Sequence, residues 1–167
     1  MNCEAVGFGS CDYRLAVCIG NRPLLPEYQT LGLIKPLERG EIAHIVDKTG
    51  NHWRKIFNLY AKLMFQLDSS TETSWQNYRD NVLLQKGSGH TLIFSDPKCL
   101  LGSGETAFII SGKSYAQGLG IFDATVSIGD GFYIDVLRKT IVTPYFDYRQ
   151  LSNRKLDMLT SIMTRCF

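Results

Sequence analysis

Asn21, Asp147 and the lysine of Gly112-Lys113-Ser114 are the residues whose types and surroundings suit chemistry in this 167-residue chain. An amide or a carboxylate can orient an attacking water, and a hydrogen-bond donor can steady a departing anion. Gly112-Lys113-Ser114 closes an apolar run, as the end of a triphosphate-binding loop would. Such a loop needs G-x-x-x-x-G-K-[ST], because its glycines let backbone amides wrap the phosphates. Here Ala107 stands where the first glycine is required, and Phe108 to Ser111 read as a strand. A triphosphate loop is therefore not supported. Gly112, Gly118 and Gly120 also miss the G-x-G-x-x-G spacing of a dinucleotide site.

The loop Thr143-Pro144-Tyr145-Phe146-Asp147-Tyr148-Arg149 brings aromatics, a carboxylate and a cation together, and Arg154 and Lys155 follow at the start of a helix. Stacking on aromatics is worth ~1–3 kcal/mol per base, and cations attract phosphates. Tyr145 or Phe146 is thus a candidate stacking surface, with Arg149, Arg154 and Lys155 as candidate contacts to a nucleic-acid backbone. Equally, the loop reads as a buried plug with Asp147 paired to Arg149 or Arg154. A third grouping, Asp147, Asp96 and His90, would suit an enzyme acting on some other small substrate.

These residues need elements to position them. "RLAVCIGN", "HTLIFSD", "ETAFIISG" and "KTIVTP" are short apolar runs ended by Gly, Asp-Pro or Pro, which reads as buried strands. "NHWRKIFNLYAKLMFQL" places Trp53, Ile56, Phe57, Tyr60, Leu63, Met64 and Leu67 on one helical face over Asn51 to Leu67. "TSWQNYRDNVLLQ" predicts a second helix capped by Thr71 or Thr73, and "SYAQGLG" a short one. Ser152 or Asn153 caps a last helix with Leu156, Leu159, Ile162 and Met163 as its apolar stripe. "TVSIGDGFYIDV" is a hairpin signal. The prolines of "RPLLPEY" argue for a loop. Strands alternating with helices imply one α/β domain over residues 1–167. The expected architecture is a three-layer sandwich with a central, mostly parallel four-stranded sheet, plus a small β-hairpin. Ligands of such sheets bind beyond the carboxyl ends of the strands. Four loops, Gly20-Asn21, Ser95-Asp96, Gly112-Lys113 and Thr143-Pro144-Tyr145, are expected to converge there.

Composition narrows the partners. With 44% hydrophobic and 20% charged residues the chain has an ordinary globular balance, and its net charge of +2 permits nucleic acid without requiring it. No run approaches the ~18 apolar residues of a membrane span. Glu4 and the lack of a basic start argue against a signal peptide, so a cytoplasmic location is expected. The five cysteines form no C-x-x-C pair and the three histidines have no zinc-ligand spacing. Free thiols are expected, with no metal and no cofactor.

The succession "LAVCIGNRP", "GNHWRKIFNLYAKL", "TAFIISGKSYAQGLG", "VSIGDGFYIDV" and "TPYFDYRQLSNRKLDML" resembles the single-domain uracil and mismatch-specific DNA glycosylases in order and spacing. It is also similar to a group of bacterial proteins of unassigned activity that share the "NRPLLPEYQ", "GNHWRKIFN" and "TPYFDYRQ" blocks, a divergent branch of that superfamily. The resemblance implies a uracil-DNA glycosylase-like fold and cleavage of the N-glycosidic bond of a flipped base. It implies Asn21 as the residue orienting water, although Arg22 intervenes before Pro23 where the family has Asn next to Pro. It places Trp53 and His52 near the pocket aromatic, and Trp53 also suits the core. In the last loop either Thr143 or Tyr145 takes the position of the recognition residue, where the family has Asn-Pro-Ser-Gly or His-Pro-Ser. The expected site is Asn21 and Asp147 for catalysis, with Arg22, Trp53, Thr143, Tyr145 and Phe146 on the substrate. The expected partner is DNA or a nucleotide, bound by a monomer. The alternative is a nucleic-acid or nucleotide binding module without hydrolysis.

Overall fold

The structure of the protein, a computed structural model, describes residues 4–167. In chain order its elements begin β1 (Gly7–Gly9), β2 (Leu15–Cys18), α1 (Pro26–Gln29), β3 (Ile34–Lys35), α2 (Glu41–Thr49), α3 (Asn51–Leu67) and α4 (Trp75–Asn81). There follow β4 (His90–Ile93), β5 (Ala107–Ser111), α5 (Lys113–Gly118), a 3-10 turn (Phe122–Ala124), β6 (Val126–Gly129), β7 (Phe132–Asp135), β8 (Thr140–Thr143) and α6 (Asn153–Cys166).

Four of the strands, β4, β2, β5 and β8, lie side by side in parallel. The expected four-stranded sheet with a separate hairpin, in the uracil-DNA glycosylase manner, is nonetheless corrected. Among the described residues there is a single mixed sheet of eight strands in the order β3-β1-β4-β2-β5-β8-β7-β6. Two pairings extend it. The hairpin joins the sheet because β7 runs antiparallel to β8. On the other side β1 runs antiparallel to β4 and is itself flanked by β3. Gly7 makes that second pairing possible, since its backbone lies so close to the Leu92 carbonyl that no Cβ would fit.

Side chains alternate across the sheet with the period of two that strands impose. Leu15, Val17, Leu92, Ile109 and Ile141 join Ile56, Phe57, Tyr60 and Leu63 of α3 and Leu156 and Leu159 of α6 in one core. Ala16, Cys18, Ile93, Phe108, Ile110 and Val142 face the other way, toward Ala116 of α5 and Ile121. The strands are thus apolar on both faces because helices cover both.

Ser152 caps α6 by accepting a hydrogen bond from the Lys155 amide, and Ser74, rather than Thr71 or Thr73, caps α4. Helix α4 stops at Asn81, ahead of Leu84, which adopts φ 59. Cys11, Cys18 and Cys166 are free thiols, of which Cys18 is buried. Cys99 departs from the expectation of free thiols, being disulfide-bonded. Cys3 lies outside the described residues. No helix among the described residues is long and apolar enough to cross a membrane.

Candidate functional site

Because β2, β5 and β8 are parallel, their carboxyl ends deliver Gly20-Asn21, Ser111-Gly112-Lys113 and Thr143-Pro144-Tyr145 to one rim. Together with Tyr115 of α5 and Tyr133 of β7 they line a cleft of about 530 Å³, within the ~300–1,000 Å³ typical of small-ligand sites. Two glycines allow the walls to close. A Cβ on Gly20 would stand 3.0 Å from the Tyr115 ring. Gly112, at φ 102, would carry one 3.4 Å from the ring of Tyr145. The fourth expected loop does not line the cleft. Its Ser95 hydroxyl accepts from the Val6 amide and Asp96 pairs with Lys98 at 3.1 Å.

At the centre of the rim a short hydrogen-bonded chain forms. Asn21 Nδ2 donates to the Tyr145 hydroxyl at 2.7 Å, and that hydroxyl lies 2.7 Å from His52 Nε2. Since the phenol oxygen accepts from Asn21, its own proton is available to the imidazole. The two rings also stack, tilted by 23°. Asn21 is exposed and its Oδ1 makes no hydrogen bond to the described residues, so the amide is held by its nitrogen and its carbonyl oxygen is left to accept from solvent or a ligand. Burial raises the Tyr145 phenol above its ordinary pKa; the Asn21 bond opposes this and the Asp147 charge adds to it. Tyr115 is pushed up to about 12, chiefly by burial.

The aromatic loop divides its residues between site and core. Tyr145 reaches the cleft, whereas Phe146 is fully buried against Tyr60. Phe146 therefore offers no open face for stacking, a correction that follows from its position in the core. Asp147 is paired with Lys55 of α3 at 2.9 Å and also accepts from the Arg149 amide, which together hold its carboxyl below the usual range. The pairing expected with the Arg149 or Arg154 side chain is replaced by this one. Asp147 does not line the cleft, and no carboxylate does among the described residues. Thr143 lines it while buried, its hydroxyl donating to the Pro144 carbonyl.

A second cleft of about 500 Å³ shares Gly20 and Asn21 with the first and is lined by Arg22, Gln29, Lys48, His52 and Trp53. Trp53 exposes only 3% of its surface, packing on Phe57 and Phe94, so it belongs mainly to the core. Arg22 holds the chain together locally: its Nη1 donates to the carbonyls of Tyr28, Gln29 and Leu31 at 3.0–3.3 Å. Arg149 is exposed. Arg154 is paired with Asp130 in the hairpin turn at 3.2 Å, and the Lys155 amide completes the α6 cap. Neither of these two lines either cleft at Asn21.

His90 stands at the amino end of β4, the opposite end of the parallel strands from the rim, fully buried with the Leu84 amide on its Nε2. The grouping of His90 with Asp96 and Asp147 is therefore absent. Sequence reasoning missed the walls instead, Tyr115, Tyr133 and Gln150 of the first cleft and Lys48 of the second. A tyrosine in a hairpin carries no signal that it will face a distant loop. Lys113 was visible from its neighbours, but its ammonium lies over the Phe122 and Tyr133 rings, at 5.2 and 5.4 Å.

What the fold and rim define is an α/β protein with a tyrosine-walled cleft at the carboxyl ends of parallel strands. The chain matches the family described as a family of unknown function, DUF6942, over residues 6–164, and belongs to it. Comparison with curated proteins and with solved structures finds no significant match.

Proposed function

We propose that the protein binds a nucleobase, free or swung out of a strand, in the cleft between Tyr115, Tyr133 and Tyr145. The observation that carries this is the lining itself: three tyrosines, Lys113 and the amides of Asn21 and Gln150, with no carboxylate among the described residues. Aromatic faces stack on any base, and amide groups can read its polar edge. Lys113 adds a cation where a strand or a nucleotide would bring negative charge. A cytoplasmic protein acting as a monomer goes with this reading.

A second reading, hydrolysis of the N-glycosidic bond, is favoured by one observation, the Oδ1 of the exposed Asn21, which no described residue engages. That oxygen can accept a hydrogen bond from a water whose own oxygen bonds the sugar's anomeric carbon, while the base leaves with the bonding electrons and takes up, through solvent, the proton the water gives up. The resemblance to uracil and mismatch-specific glycosylases supports this step. Asp147, tied to Lys55 and outside the lining of the cleft, is not available to this step.

Duplexes and single strands carrying uracil or mismatched bases separate the two. Binding that weakens in Tyr133→Ala, with every base left attached at high protein concentration, is the outcome expected for a binding protein. Abasic sites that vanish in Asn21→Ala would establish hydrolysis. No binding to any strand, nucleoside or free base would remove both.

A further inference from the structure

We infer that the second cleft takes the phosphate of a nucleotide whose base occupies the first, so that the ligand is a nucleoside phosphate rather than a bare base. This deepens the base-binding reading and rests on it. The clefts meet at Gly20 and Asn21. The Asn21–Tyr145–His52 chain, with both contacts at 2.7 Å, stands between them as a low partition. A ligand spanning the rim would thus put one end among tyrosines and the other among Arg22, Lys48 and His52.

The second cleft has the charge for the other end. Arg22 and Lys48 line it, and no Asp or Glu does among the described residues. Arg22 cannot swing away, because its Nη1 is held by three backbone carbonyls and its guanidinium lies over Phe94, 5.7 Å from the ring centre. Its charge is a fixed feature of the wall. Lys48 has a half-exposed side chain, and its acidic neighbour, Asp47 at 3.8 Å, is itself mostly in solvent. Water screens such a pair, so the ammonium stays available to an anion. Two cations beside a histidine thus line one hollow with no carboxylate among its described lining residues, which favours an anion there. A phosphate is the anion that arrives attached to a base. His52 joins the two ends, since its Nε2 faces the Tyr145 hydroxyl while its ring lines the second cleft.

The source can be a free nucleotide or a nucleotide within a strand, and the experiment separates them. Calorimetric titrations compare a nucleoside, its 5′-monophosphate, inorganic phosphate and a short single strand, on the natural protein, Lys48→Ala and Tyr133→Ala. Lys48 is exposed and not in the core, so its variant will fold. The inference expects the monophosphate to bind ~10-fold tighter than the nucleoside, as a charge-assisted contact gives. That advantage should shrink in Lys48→Ala, the Arg22 charge remaining, with nucleoside binding retained, and Tyr133→Ala should weaken nucleoside and monophosphate alike. Under this inference a strand that binds more tightly than the monophosphate assigns the site to nucleic acid, and one that binds more weakly to free nucleotides. Equal affinity for nucleoside and monophosphate overturns the inference and leaves base binding standing. Inorganic phosphate bound through Lys48 with no nucleoside binding overturns the base reading and the nucleotide assignment together, as does no binding at all.

Discussion

Tyr145 is the residue on which the site's geometry turns, because one hydroxyl holds both Asn21 and His52. Tyr145→Phe keeps the ring and removes that oxygen. Each of the two hydrogen bonds lost is worth about 1 kcal/mol net, so the melting temperature should fall by a few degrees, and with Asn21 no longer held nucleoside affinity should fall roughly fivefold. Paired thermal melts and titrations check this. Unchanged affinity would show that the orientation of Asn21 does not matter to binding. Of the residues singled out in the sequence, Asn21, Thr143 and Tyr145 come together, and they do so because each follows a parallel strand. Phe146 and Trp53 could not be assigned from type alone. An aromatic that stacks on a base and one that fills a core look the same until its neighbours are known, and here both are buried. The Lys55 partner of Asp147 lies 92 residues away in the chain, beyond the reach of any local pattern.

The elements best read from sequence are those with a long amphipathic period. Helix α3 spans Asn51–Leu67 as its apolar stripe requires, and α6 begins after Ser152 as its cap requires. The shortest elements escaped. Strand β1 has three residues, two of them glycine, and β3 has two, so neither shows an alternation that can be recognised. Helix α1 begins at Pro26, a residue read as breaking structure, yet proline is at home in a first turn. Missing β1 and β3 and detaching the hairpin produced the four-strand expectation in place of an eight-stranded sheet. The capping serine of α6 offers a test at this scale. Ser152→Ala should cost about 1 kcal/mol, seen as a lower urea midpoint with the slope of the transition unchanged. A change in slope would mean that the helix end frays rather than merely losing a bond.

For the whole molecule, the buried His90 couples folding to pH. Burial lowers its pKa from 6.5 to about 4, so the native protein keeps it neutral while the unfolded chain protonates it. Between those two values the unfolded state binds more protons, and stability must therefore fall as pH drops from 6.5 toward 4. The loss approaches about 3 kcal/mol at the lower end of that window. Urea unfolding at a series of pH values should show it, and His90→Gln should flatten the profile over that range even if it is less stable throughout. A flat profile in the natural protein would contradict the burial of a neutral imidazole there. Since His90 sits at the far end of the strands from the rim, this dependence should leave ligand binding untouched wherever the protein remains folded.

The claim that everything else depends on is that a base enters the tyrosine-walled cleft at the carboxyl ends of β2, β5 and β8. Amide chemical shifts followed by NMR while a nucleoside is titrated in will test it most directly. Saturable shifts confined to Gly20, Asn21, Gly112, Lys113, Tyr133 and their neighbours are expected, and their loss in Tyr133→Ala. Shifts that never saturate, or that cluster on another face of the sheet, would contradict it.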